Sequence, residues 1–169
     1  HKLDGGCLLE VPSGRVLARG LSMPHSPRLY RGELFVLNSG YGRLELASLN
    51  GDPPRIVATL PGYARGLDFH QGHAFVGLSR IRETNIFGGL PIGEFHEQLQ
   101  CGLAVVDCGS GRIVGSLFFN AGVSEIFAVQ TLPGYQNPII SGPYPDTDGT
   151  ETIWMVPTGD AAGEAPCPC

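Results

Sequence analysis

Charge is what this sequence has least of: Asp, Glu, Lys and Arg make up 16% of it, against roughly 25% in average globular domains. The eleven basic and sixteen acidic side chains, a formal charge of −5, are scattered without any run of Lys or Arg. That pattern argues against nucleic acid or an anionic membrane as the main partner. No stretch approaches the ~18 uninterrupted apolar residues of a membrane span, and His1 to Gly6 carry neither the basic nor the apolar region of a signal peptide. Met is missing from the start, so the true N-terminus is expected upstream. The five cysteines, at 7, 101, 108, 167 and 169, are an odd and uneven set that does not form a disulfide framework. A reducing, cytoplasmic setting is expected.

Glycine and proline are plentiful, 25 and 14 of 169 residues, which excludes a helical bundle. An apolar share of 42% is enough to bury a core, so disorder is excluded too. Repeats carry the remaining information. LLEVPSGRVLA, LELASLNGDPPRIVATL and LAVVDCGSGRIVGSLFF each place a turn glycine, Gly14, Gly51 or Gly111, between apolar runs. IWMVPTGD keeps the strand and Gly159. Such Ser-Gly and Asn-Gly pairs are expected as two-residue hairpin turns, because glycine accepts the positive φ they demand. A second kind of hairpin folds around Arg31-Gly32 and Gln71-Gly72, 40 residues apart, and EIFAVQTLPGYQNPIISG reads as a third copy with a longer turn.

Each unit is therefore four strands, A to D, in an antiparallel meander. A repeat near 40 residues of four short strands is the signature of a β-propeller blade, since one small sheet must stack on a neighbour to bury both faces. The fold class expected is all-β, with strands C and D at 5–19, whole units at 26–60 and 65–119, strands A to C of a last unit at 125–157, and a disordered tail at 161–169. Three and a half blades are fewer than a typical ring, so a C-terminal fragment of a larger propeller is expected, its partners including the missing N-terminal blades. The alternative is a complete sandwich of similar hairpins.

In such a meander the approach to strand A, the B to C connection and the exit of strand D share one face. Long insertions, Arg80 to Gln100 and Gly142 to Thr150, fall on that face, and short turns mostly on the other. Function concentrates on long loops held by a rigid scaffold, so the binding surface is placed there. Strand A is innermost, and His25, Arg65 and Glu125 begin it in three successive units. The trio would orient an anionic ligand through Arg65 and move a proton with His25 or Glu125, the candidate catalytic groups. Ser26, Asn38, Ser79 and Ser124 are expected on the same rim, with Arg80 and Arg82 from the insertion. The competing reading is structural: these groups bond one another and hold the units together.

Other clusters read as structural. His70 and His73 face each other across a hairpin as a solvated pair; a metal would need a third ligand. The acidic segment Asp146 to Glu151 lacks the twelve-residue spacing of an EF-hand loop. Cys167-Pro-Cys169 lacks a paired zinc motif. Cys101 and Cys108 sit at opposite ends of one strand, about 23 Å apart, and do not bond each other. No metal site is assigned to these residues, and the cofactor stays open. The insertion, with Phe87 and a helical turn at 94–99, is either a lid over the channel mouth or a packed seal.

The runs GLSMPHSPRLY, LNSG, LPGYARGLDF, VGLSRIRET, CGLAVVD, SGRIV and VSEIFAVQ, in this order over residues 4–142, resemble a bacterial conserved-hypothetical family labelled domain of unknown function 4915. The resemblance implies a longer chain with propeller-like repeats and carries no activity. His25, Ser26, Arg28, Arg65, Arg80 and Glu125 all fall within these runs. Three functions stay open: binding of a small or peptidic anion at the channel mouth, a metal-assisted hydrolase or lyase of the lactonase kind, and a protein interaction scaffold.

Overall fold

The computed structural model describes residues 1–80 and 89–138. The chain divides into two compact units, His1–Pro133 and Gly134–Cys169, and all ten described strands belong to the first. No helix among the described residues is long and apolar enough to cross a membrane. The fold is all-β and every strand pairing is antiparallel. Strands β1 (Gly6–Leu9) and β2 (Val16–Leu21) form a two-stranded sheet. Next comes a four-stranded meander of β3 (Pro24–Tyr30), β4 (Glu33–Asn38), β5 (Arg43–Ala47) and β6 (Arg55–Thr59). A second meander joins β7 (Tyr63–His70), β8 (His73–Ser79), β9 (Gly102–Asp107) and β10 (Ile113–Phe118). Two 3₁₀-helices, η1 (Ser39–Tyr41) and η2 (Pro91–Gln98), lie in the B to C connections.

Alternation along the strands explains the stacking. In β4, Phe35 and Leu37 join Leu67, Val76, Leu78 and Val106 of the second meander, while Val36 joins Leu8, Leu17 and Leu21 of the β1–β2 sheet. The β3–β6 sheet is thus covered on both faces, and each such aliphatic side chain contributes roughly 1.5–3 kcal/mol of burial. Alanines at 58, 64, 74 and 104 sit in the contact between the two meanders. Tyr30 stacks on Phe69 at 4.5 Å, and its hydroxyl accepts from the Gly72 N–H at 2.8 Å, tying the two A to B hairpins together.

Those hairpins repeat angle for angle: Arg31 and Gly32 at φ 51° and 82°, Gln71 and Gly72 at 46° and 83°. The other glycine turns are longer than the sequence suggests. Around Gly14 and Gly111 the closing bonds are Glu10 N–H to the Arg15 carbonyl and Asp107 N–H to the Arg112 carbonyl, so each connection holds four residues. Asp107 adds the reason, since its Oδ1 accepts from both the N–H and the hydroxyl of Ser110 and stabilises the wider loop.

Beyond β10, residues 124–131 are not in a strand, although a third strand A is expected there. Side-chain anchors hold this segment against the second meander. Asp68 accepts from Thr131 N–H and Oγ1 at 2.6 and 2.7 Å, and from Gln130 Nε2 at 2.9 Å. Burial would raise the Asp68 carboxyl, but the Thr131 and Phe69 bonds and the Arg28 charge outweigh it and hold the group below its usual range. The approach is close: a Cβ on Gly66, at φ 75°, would stand 2.7 Å from Ala128 backbone, whereas one on Gly32 would meet nothing within 4 Å. Gly32→Ala is expected to cost about 1–2 kcal/mol, the left-handed penalty alone. Gly66→Ala should lose about 1–3 kcal/mol more through the collision. Urea unfolding of both variants checks this, and equal losses would mean that residues 124–131 do not press on β7.

Candidate functional site

The starts of β3 and β7 share a defect. Register shifts between His25 and Arg28 and between Ala64 and Leu67 insert a bulge at the same place in each meander. Ser26 takes a φ of 49° at the first bulge, where Gly66 takes 75° at the second, and Met23, two residues before His25, stands at 47°. Left-handed backbone at non-glycine residues costs of order 1–3 kcal/mol each and gathers where geometry is held for use. The bulges also interlock, since the Gly66 N–H donates to Ser26 Oγ at 3.2 Å.

His25 projects from the first bulge, half-buried, with its ring edge-on to Tyr63 at 5.7 Å. Its Nδ1 lies 2.9 Å from the Met23 carbonyl and 3.1 Å from Ser39 Oγ, whose own proton goes to the Ala64 carbonyl at 2.6 Å. Two acceptors facing Nδ1 put the ring proton there and leave Nε2 as the basic nitrogen. Burial lowers the imidazole pKa, the Met23 carbonyl opposes this, and the Arg65 charge lowers it further. Burial also pushes the Tyr63 hydroxyl up to about 12 against the pull of Arg65, and that hydroxyl lies 3.8 Å from Met23 sulfur. A neutral base, a neutral phenol and a cation therefore stand together.

Arg65 follows one repeat behind His25. Its guanidinium carbon lies 4.5 Å from the centre of the Phe127 ring, and its Nε is buried with no hydrogen-bond partner among the described residues. Glu125 is half-buried and held from both sides: the Ser124 carbonyl accepts from Arg80 N–H at 2.8 Å, and Ile126 N–H donates to Ser79 Oγ at 2.9 Å. The structure thus brings His25, Ser26 and Arg65 together, while Glu125 sits two residues before the ring that covers Arg65.

The other rim candidates are engaged with backbone or core. Asn38 is buried, its Oδ1 accepting from Ser22 N–H at 2.8 Å and its Nδ2 donating to both Glu45 oxygens at 3.1 Å. Ser79 is bound to Ile126, and Arg80 donates from Nη2 to the Phe119 carbonyl at 3.2 Å. Arg82, Phe87, the acidic segment 146–151, and the cysteine tail lie outside the described residues. Leu90, Ile92 and Leu99 of the insertion are buried with Tyr63, and Met23 packs against them, so η2 covers the residues beside His25. His70 pairs with His73 across their hairpin, and His73 Nε2 lies 3.9 Å from Asp107. Among the described residues no three His, Cys, Asp or Glu side chains gather as metal ligands. Cys7 is exposed and Cys108 part-buried, both as free thiols, and Cys101 is buried.

Sequence reasoning missed Met23, Tyr63 and Phe127. Tyr63 stands 40 residues after Met23, the same offset as Arg65 from His25, so that shared spacing could have exposed the first two.

A family model described as domain of unknown function (DUF4915) matches residues 1–141. The chain belongs to that family. The match takes in every residue of the His25 and Arg65 cluster, and a search of the curated proteins finds no significant match.

Because the folded-state imidazole pKa is depressed, His25 binds its proton less readily folded than unfolded. Its contribution is complete above the unfolded value near 6.5 and is lost as pH falls through the lower folded value. The melting temperature should therefore fall more between pH 7 and pH 5 in the parent protein than in His25→Gln. Parallel curves would show that His25 is not held neutral.

Proposed function

We propose that this chain is part of a β-propeller that binds a small or peptidic anionic ligand at its channel mouth through Arg65 and His25. The observation that carries the reading is the Arg65 Nε, buried without a hydrogen-bond partner among the described residues. A buried donor left unmatched costs about 1–3 kcal/mol, and a carboxylate arriving at this edge would supply the partner and a charge-assisted bond. His25 complements it, because its Nε2 accepts a hydrogen bond while neutral, so the favoured ligand carries an O–H or N–H beside its anionic group. Stacked four-stranded meanders with β3 and β7 adjacent support the propeller arrangement. Blades from a longer parent chain would complete the rim, Glu125 and Arg82 would contribute from it, and the free thiols of Cys7 and Cys108 suit a cytoplasmic setting.

One observation favours a second reading. A histidine kept neutral by burial, with its basic nitrogen beside a cation, is suited to remove a proton from a bound ligand or water, as a hydrolase or lyase requires. Both readings need the same ligand to bind first.

Calorimetric titration with malate, succinate and an acidic dipeptide tests this. Binding should be strongest for ligands bearing a hydroxyl or amide beside the carboxylate. Arg65→Met should weaken it by about tenfold or more, as loss of a charge-assisted bond requires. An Arg65→Met protein with unaltered ligand affinity and a lowered melting temperature would make the rim structural.

A further inference from the structure

A separate cleft of about 370 Å³ opens on the outer half of the β3–β6 sheet, beneath η2. Its walls are apolar, built by Leu60, Pro61, Ile92 and Leu99, and its polar groups are few. Ile92 packs over Gly42, where a Cβ would stand 2.8 Å from its Cδ1. Arg43, fixed at the start of β5 by pairing with Asn38 and Thr59, lines this cleft with its guanidinium carbon 4.7 Å from the centre of the Tyr41 ring.

The charge in this cleft is poorly matched from within the protein. Among the described residues no carboxylate lies within ion-pair distance of Arg43. Its charge is felt by Glu45, but that carboxyl is buried, has its pKa raised by burial, and directs both oxygens to the Asn38 amide. A cation over an aromatic ring at the side of an apolar cleft is the arrangement that receives an anion with an apolar body. The volume lies in the usual range for small-molecule sites, roughly 300–1,000 Å³.

We infer that the cleft between β5, β6 and η2 is a second binding site, for a small monocarboxylate with an apolar chain, its carboxylate on Arg43 and its chain against Ile92 and Leu99. Arg65 and His25 take no part in it.

Octanoate is the probe, with 1-octanol and acetate as controls for charge and for chain, added to the full 169-residue protein. In proton–nitrogen correlation spectra, octanoate should shift the amides of Tyr41, Arg43 and Gln98, and octanol and acetate should bind about tenfold more weakly or worse. Arg43→Gln should abolish the preference for octanoate over octanol, while Arg31→Gln, on the opposite face, should keep it. The spectra of the parent protein decide the matter even if Arg43→Gln fails to fold. Shifts confined to other residues, no binding at millimolar octanoate, or equal affinity for octanoate and octanol would each overturn the assignment.

Discussion

Val36 and Leu37 are neighbours in β4 and both are wholly buried. Successive strand residues point to opposite faces, so this occurs only where a sheet is covered on both sides. The β3–β6 sheet meets that condition by lying between the β1–β2 sheet and the second meander. The same demand recurs one layer on, where Gly66 and Gly77 of the second meander lie against residues 126–129. A four-stranded sheet of this size cannot stabilise itself in water with one apolar face exposed, and stacking is how each layer completes its neighbour.

Stacking this close dictates what happens at the strand starts. Two meanders pressed face to face leave little room where β3 and β7 begin, and the chain responds with a bulge in each strand. At one bulge the left-handed residue is glycine, with Ala128 backbone over it; at the other it is Ser26, whose side chain accepts from the glycine's own N–H. A serine at that φ is a strained choice that the interlayer bond offsets. The consequence is a change of aim, because a bulge redirects the residues beside it. His25 and Arg65 adjoin those bulges, so the packing that stabilises the layers also sets the direction of these two groups.

Much of this was legible in the sequence because it is local. Arg31-Gly32 and Gln71-Gly72 announce tight hairpins through residues that tolerate positive φ, and alternating apolar runs on either side set which strands pair. The 40-residue offset then relates His25 to Arg65 without any knowledge of contacts. What was not legible depends on side chains reaching across layers. Asn38 looked like a rim residue, yet a buried N–H on Ser22 and the buried Glu45 carboxylate claim its amide. Phe127 looked like one apolar residue of a strand, yet it covers a guanidinium. The Ser-Gly turns were misread by length because Asp107, three residues before Ser110, widens the loop with its own carboxylate.

The scarcity of charge sharpens the contrast between the polar groups at this edge. Neutral groups here are taken up by the backbone: Ser22 and Asn38 together, Ser39 by the Ala64 carbonyl, Ser79 by Ile126. Each of those bonds ties one layer to the next or one strand to its approach, and each group would be costly to leave unmatched. Arg65 departs from that economy, since its Nε is buried without such a bond among the described residues, and its charge adds to the burial that already lowers the neighbouring imidazole pKa. A neutral donor in its place would bond the layers equally well, so packing alone gives no reason for a charge here. An anion would supply the guanidinium with the partner it lacks among the described residues. On the anion-binding proposal, the cost of leaving that donor unmatched is the gain available on binding.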